Sequence, residues 1–232
     1  PPRGSPSSPR GGGLVAGGFE LEVLNAATTE LAELLQAPRG AFHFVQALNR
    51  QRTRMVDVGI AFPFLAGLLL TALDRCQRLR DVDSILVSMM LAQSFYRSRP
   101  GNVVGDDDQA SREYLKSAIQ THPVWADALF WREALALCVS KQKTLGPNAA
   151  DPDEGDDPGC TPGYFVHLFY AEADADRARH ADALWSQLGG IVHAMHEFGV
   201  APDAVIQFLD AVCSEHGVDE HRRQTLVDHV ES

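Results

Sequence analysis

Paired cysteines are what this sequence most plainly lacks. Its four cysteines, Cys76, Cys138, Cys160 and Cys213, lie far apart and form no CxxC. That excludes a thioredoxin-like motif and the usual zinc knuckle. Cys76, Cys138 and Cys213 fall inside apolar helical patterns and read as buried free thiols of a reducing compartment, cytosol or nucleus. Cations are also short. With 20 Lys and Arg against 31 Asp and Glu, the formal net charge is −11, which argues against a general nucleic-acid binder. Long uncharged runs are missing too. Val58–Leu73, VGIAFPFLAGLLLTAL, carries no charge, but residues 58–73 make only 16 positions, short of the ~20 that span a bilayer. Pro63 and Gly67 interrupt it, and Arg75, Arg78 and Arg80 follow. It reads as a buried bundle helix, with Pro63 in its first turn or at a kink. There is no P-loop, GxGxxG, GxSxG, kinase signature or CxxxxxR phosphatase loop. No catalytic residue and no cofactor or metal site is therefore expected.

What is present is helical periodicity. The richest stretch is THPVWADALFWREALALCVSK, Thr121–Lys141. Val124, Ala128, Trp131, Leu135 and Cys138 make one helical stripe, and Trp125, Leu129, Ala136 and Val139 a second. Asp127, Arg132 and Glu133 point in different directions, so the helix is expected to be apolar nearly all round and central, over about 121–142. Around it, Phe19–Gln36 predicts a first helix whose inward stripe is Leu21, Leu24, Leu31, Leu34 and Leu35. Ala41–Arg54 predicts a second, and Ser84–Arg97, capped by Asp81 or Asp83, another. A short helix is expected through Tyr114, Leu115, Ala118 and Ile119. Leu184–Phe198 contains Gly189-Gly190, where close approach of another helix would compensate for lost propensity. Asp203–Glu215 and a last helix capped by Asp219 complete the series. The fold class is all-α, a multi-helix bundle of about eight to ten helices. Residues 19–231 form one domain. Pro1–Gly18 is expected to be a disordered linker of a longer chain, and 145–163 a disordered acidic loop.

Three clusters need weighing as chemistry. His193 and His196, at i and i+3 beside Glu197, could ligate a metal, but lack further ligands and are not HExxH; surface or half-buried histidines are the plainer reading. Arg50, Arg52 and Arg54 close a helix, where the dipole favours cations; the sharper alternative is a basic spot for an acidic partner or lipid headgroup. Asp151, Asp153, Glu154, Asp156 and Asp157 resemble a calcium loop only loosely, because Pro152, Pro158 and a missing closing glutamate break the pattern.

Five blocks, in this order, resemble the SBF-type helical domain, named for the SET-binding factors. They are FVQALNRQR at Phe44–Arg52, the apolar helix pair of Phe62–Met90, HPVWADALFWREAL at His122–Leu135, QLGGIVHAMHEFG at Gln187–Gly199 and DEHRRQTLVDHVE at Asp219–Glu231. His193 departs from the pattern, where a residue such as asparagine is common. The family's members include DENN-bearing, catalytically dead myotubularin relatives. The resemblance implies a non-enzymatic interaction or scaffold domain of a larger membrane-trafficking protein associated with Rab exchange. It would be cytoplasmic, or peripheral on endosomal membranes, with a Rab GTPase or trafficking and cytoskeletal proteins as partners and no transmembrane segment of its own. Alternatives left open are a direct contribution to Rab guanine-nucleotide exchange, and a metal-dependent enzyme built on His193 and His196.

Overall fold

A computed structural model describes residues 13–52, 55–99, 112–144 and 174–231, the side chains of 13–19, 143–144, 174–182 and 231 excepted. The expected acidic loop 145–163, the Tyr164–Tyr170 segment, Arg54, Cys160 and residues 1–12 of the expected linker lie outside these.

Nine α-helices are found among the described residues: α1 Gly13–Gln36, α2 Gly40–Gln51, α3 Phe62–Leu79, α4 Val82–Ser94, α5 Lys116–Ile119, α6 Ala128–Thr144, α7 Asp174–Glu197, α8 Pro202–His216 and α9 Glu220–Glu231. The mostly helical class is as the periodicity predicts. Three short strands depart from it: β1 Val56–Asp57, β2 Phe95–Ser98 and β3 Arg112–Tyr114, in the order β1-β2-β3. β1 runs parallel to β2, with Val56 opposite Phe95, and β3 antiparallel, with Tyr96 opposite Tyr114. Residues 95–97 therefore leave the helix expected for Ser84–Arg97. Phe95, Tyr96 and Tyr114 are aromatic, as strands prefer, and Arg97 is held by Glu113 at 2.8 Å. Asp57 accepts from the Ser98 hydroxyl at 2.6 Å and the Gly59 amide at 2.9 Å. The Ser98 bond holds its carboxyl below the usual value.

The central stretch is not one helix. His122 is 6% exposed and starts a 3-10 turn, Pro123–Ala126, by accepting the Val124 amide proton on Nδ1 at 3.2 Å. The ring proton therefore sits on Nε2, 3.2 Å from Asp74. Asp127 is extended, and its carboxylate accepts from the Leu129 amide as α6 begins. This break rotates Trp125 relative to α6. Trp125, Phe130, Trp131, Leu135 and Val139 are buried, while Ala128, Leu129, Arg132, Ala136 and Ser140 are exposed. The first predicted stripe thus fails at Ala128 and the second at Leu129 and Ala136, and α6 has a wet side after all. Its core side remains central, packed on α4 and α7. The Trp125 ring meets Phe198 at 4.5 Å, Phe130 at 5.7 Å and Trp131 at 6.0 Å.

α3 begins with Pro63 in its first turn. The continuous segment Gly59–Leu79 has 21 residues and is apolar enough by length and composition to cross a membrane, so the length argument against a span does not hold. In the fold, Leu69, Ala72 and Leu73 of α3 are wholly buried, and the helix packs against α1, α2 and α4. Asp81 caps α4, accepting from the Ser84 amide and hydroxyl, and Asp219 accepts from the Arg222 amide at the start of α9. Gly189 faces Leu226 of α9, yet a Cβ there would meet it at an ordinary 3.9 Å. Close approach is not what requires this glycine.

Cys76 and Cys213 are buried and free, and Cys138 is half-buried and free. Burial pushes the Cys76 thiol up to about 12 and Cys138 to about 11, from an ordinary 9.0. Native chain at pH 8 should therefore resist iodoacetamide at both, and urea-unfolded chain should label at both, read by peptide mass. Because the folded values are the higher ones, the thiol contribution to stability is intact below pH 9 and is lost as pH rises toward 11–12. Fast labelling of native Cys76 would refute its burial.

Candidate interaction surfaces

Among the described residues, α1 holds the most exposed apolar surface. Leucine and alanine, with no proline and only Val23, Thr28 and Thr29 β-branched, make Phe19–Gln36 a good helix, and the helix extends back to Gly13, into the expected linker. The predicted inward stripe is too wide to be buried by one neighbour. Taking Leu31 as zero and roughly 100° per residue, Leu24, Leu35 and Thr28 lie at about +20° to +60°. That is the side packed on α2 and α3, with Leu35 1% exposed and Leu24 half-buried. Ala27, Leu34 and Val23 lie at about −40° to −80°, and they face water. Leu34 is 61% exposed, Val23 51% and Leu31 37%. Leu31 and Leu34, expected inside, are therefore outside, together with Leu21 at 50%. The signal available in the sequence was the width of the apolar arc, which exceeds one packing face.

The wet side of α6 forms one wall of a groove with about 490 Å³ of open space. Leu129, Ala136 and Ser140 line that wall, and Val212, Glu215 and His216 of α8 line the other. Arg132 reaches across to Glu215 at 2.9 Å, so the groove is bridged by an ion pair. A small inner cavity between α4, α6 and α7 has apolar walls, Leu86, Met90, Leu137 and Ile191 among them. Lys141 pairs with Asp83 at its edge, and the Gln187 amide donates to Gln142 at 3.2 Å.

Among the described residues, those weighed for chemistry are not brought into a site. His193 and His196 are exposed on α7. Glu197 pairs with Lys116, and that bond holds its carboxyl below the usual range. Among the described residues no group of three or more His, Cys, Asp or Glu could hold a metal ion. Arg50 is exposed and Arg52 half-buried at the end of α2.

Compared with protein-family models, with curated proteins and with solved structures, the chain matches nothing.

Proposed function

We propose that this chain is a non-enzymatic protein-interaction domain, the scaffold or regulatory part of a larger membrane-trafficking protein, as the resemblance to the SBF-type domain implies. The observation that supports the reading is the outward stripe of α1. Val23, Ala27, Leu31 and Leu34 recur on one side of a helix whose neighbouring stripe is already anchored by Leu35. Scattered exposed leucines are ordinary, but a contiguous stripe on one helix marks a contact surface. In the family's setting the partners are a Rab GTPase or trafficking and cytoskeletal proteins, met in the cytoplasm or at a membrane held by other modules.

The test is capture of partners by the tagged chain and by a Leu31→Glu/Leu34→Glu variant. Both residues are exposed, so the melting curve should stay within about 2–4 °C, two surface substitutions being worth no more than ~0.5 kcal/mol each. Specific partners identified with the parent chain should be lost from the variant. Equal capture by both would remove α1 from the interaction surface.

A further inference from the structure

The partner of the α1 stripe has a chemistry that the helix itself dictates. Gly13–Gln36 contains Glu20, Glu22, Glu30 and Glu33 and no Lys, Arg or His. All four carboxylates are exposed, and none is in an ion pair within the described residues. Elsewhere several acids are paired: Glu133 with Arg80, Glu215 with Arg132 and Asp210 with Arg223. On the wheel, Glu30 lies at about −100°, just outside Val23, and Glu20 at about −20°, in line with the stripe at its N-terminal end. Ala27, Leu31 and Leu34 also step by four and three residues, the spacing of a two-helix seam. From Val23 to Leu34 the stripe rises ~17 Å, about three turns.

We propose that this face docks a basic amphipathic helix: a partner segment with leucine-like residues at i, i+3 and i+7 against Ala27, Leu31 and Leu34, and Lys or Arg against Glu30 at the edge and Glu20 at the N-terminal end. The inference rests on the interaction-domain reading and specifies its partner. A second copy of this chain fits poorly. It would bring acid-only edges together, and three turns of one helix fall well short of the ~800 Å² per partner of a stable dimer. An anionic membrane surface fits no better, since it repels the Glu20 and Glu30 carboxylates beside the stripe.

The experiment uses two 21-residue probe peptides with leucine at every a and d position. One carries lysine at e and g, the other glutamate. Binding to the full 232-residue chain is read by fluorescence anisotropy at low and at 0.5 M salt. The lysine peptide should bind at least tenfold more tightly than the glutamate peptide, and salt should narrow the gap. Leu31→Glu/Leu34→Glu should abolish binding. That variant adds two negative charges, so loose adhesion to an acidic protein would increase instead, and an increase overturns the proposal. Glu20→Lys/Glu30→Lys should invert the peptide preference with an unchanged melting curve. The proposal also falls if both peptides bind alike or neither binds, if the chain sediments as a dimer that Leu34→Glu dissociates, or if it binds phosphatidylserine vesicles through α1. Should neither peptide bind while partner capture still depends on Leu31 and Leu34, the basic-helix inference fails and the interaction-domain reading stands.

Discussion

Trp131→Ala is expected to lower the melting temperature by about 6–20 °C, or to leave the domain insoluble. The range follows from ~3–5 kcal/mol for truncating a buried tryptophan and about 2–4 °C per kcal/mol in a chain of this size. Trp131 is 1% exposed. Its ring lies 4.8 Å from Phe130 and 6.0 Å from Trp125, and its indole N–H donates to the Trp125 carbonyl at 2.8 Å. That bond ties α6 back onto the 3-10 turn before it. Trp125 in turn donates to the Ile119 carbonyl at 2.7 Å, so the two indoles staple α5, the turn and α6 into one unit. Alanine leaves a cavity beside two aromatic rings and a buried carbonyl without its donor. Trp131→Phe separates the two losses: it restores most of the volume but not the N–H, and should recover more than half of the lost melting temperature. The rival role for a tryptophan is an exposed anchor for a partner. In that case the alanine variant would melt normally and lose capture.

How much of this fold is legible in the sequence depends on which residues carry the signal. The burial of Trp131 and Leu135 on one side of α6, the caps at Asp81 and Asp219, and Pro63 in a first turn are local matters. Spacing and capping chemistry express them directly, and they hold. The two part company where tertiary contact decides. His122 and Asp127 close a turn with side-chain bonds, so a run free of glycine and internal proline still breaks between Ala126 and Ala128. Phe95–Ser98 continues a helical pattern but finds β1 and β3 as partners, and pairing overrides propensity. On α1 the apolar arc is legible while the division between its packed and wet sides is not. Which leucines are covered depends on where α2 and α3 lie, and no periodicity in α1 records that. The stripe that supports the functional reading is thus visible in composition, but its direction is not.

Gly40→Ala should destabilise the domain by about 1–3 kcal/mol, through overpacking that backbone atoms cannot relieve, while Gly67→Ala should stabilise it. At Gly40 an added Cβ would lie 2.0 Å from the Leu34 carbonyl oxygen, 3.0 Å from its carbon and 3.1 Å from the Leu35 Cα. None of these can rotate aside as a side-chain end would. The joint is already tight. Arg39 is left-handed at φ 63°, the Gly40 amide donates to the Ala37 carbonyl at 2.9 Å, and the Ala37 amide donates to Leu34 at 3.0 Å. Opening it must lift the last turn of α1, and with it Leu35, the residue that anchors the helix in the core. Gly67 lies inside α3, where an added Cβ would meet nothing within 4 Å, so alanine there only removes the entropy penalty of glycine, roughly 0.5–1 kcal/mol. The two variants carry the same chemical change and should melt on opposite sides of the parent, Gly40→Ala about 2–12 °C lower and Gly67→Ala about 1–4 °C higher. Amide exchange should show the Gly40→Ala loss concentrated in α1, with α6 and α7 still protected. If Gly40→Ala melts with the parent, α2 does not press on the end of α1 as described. The outward stripe of Val23, Ala27, Leu31 and Leu34 would then lose the fixed mounting on which its role as a docking face depends.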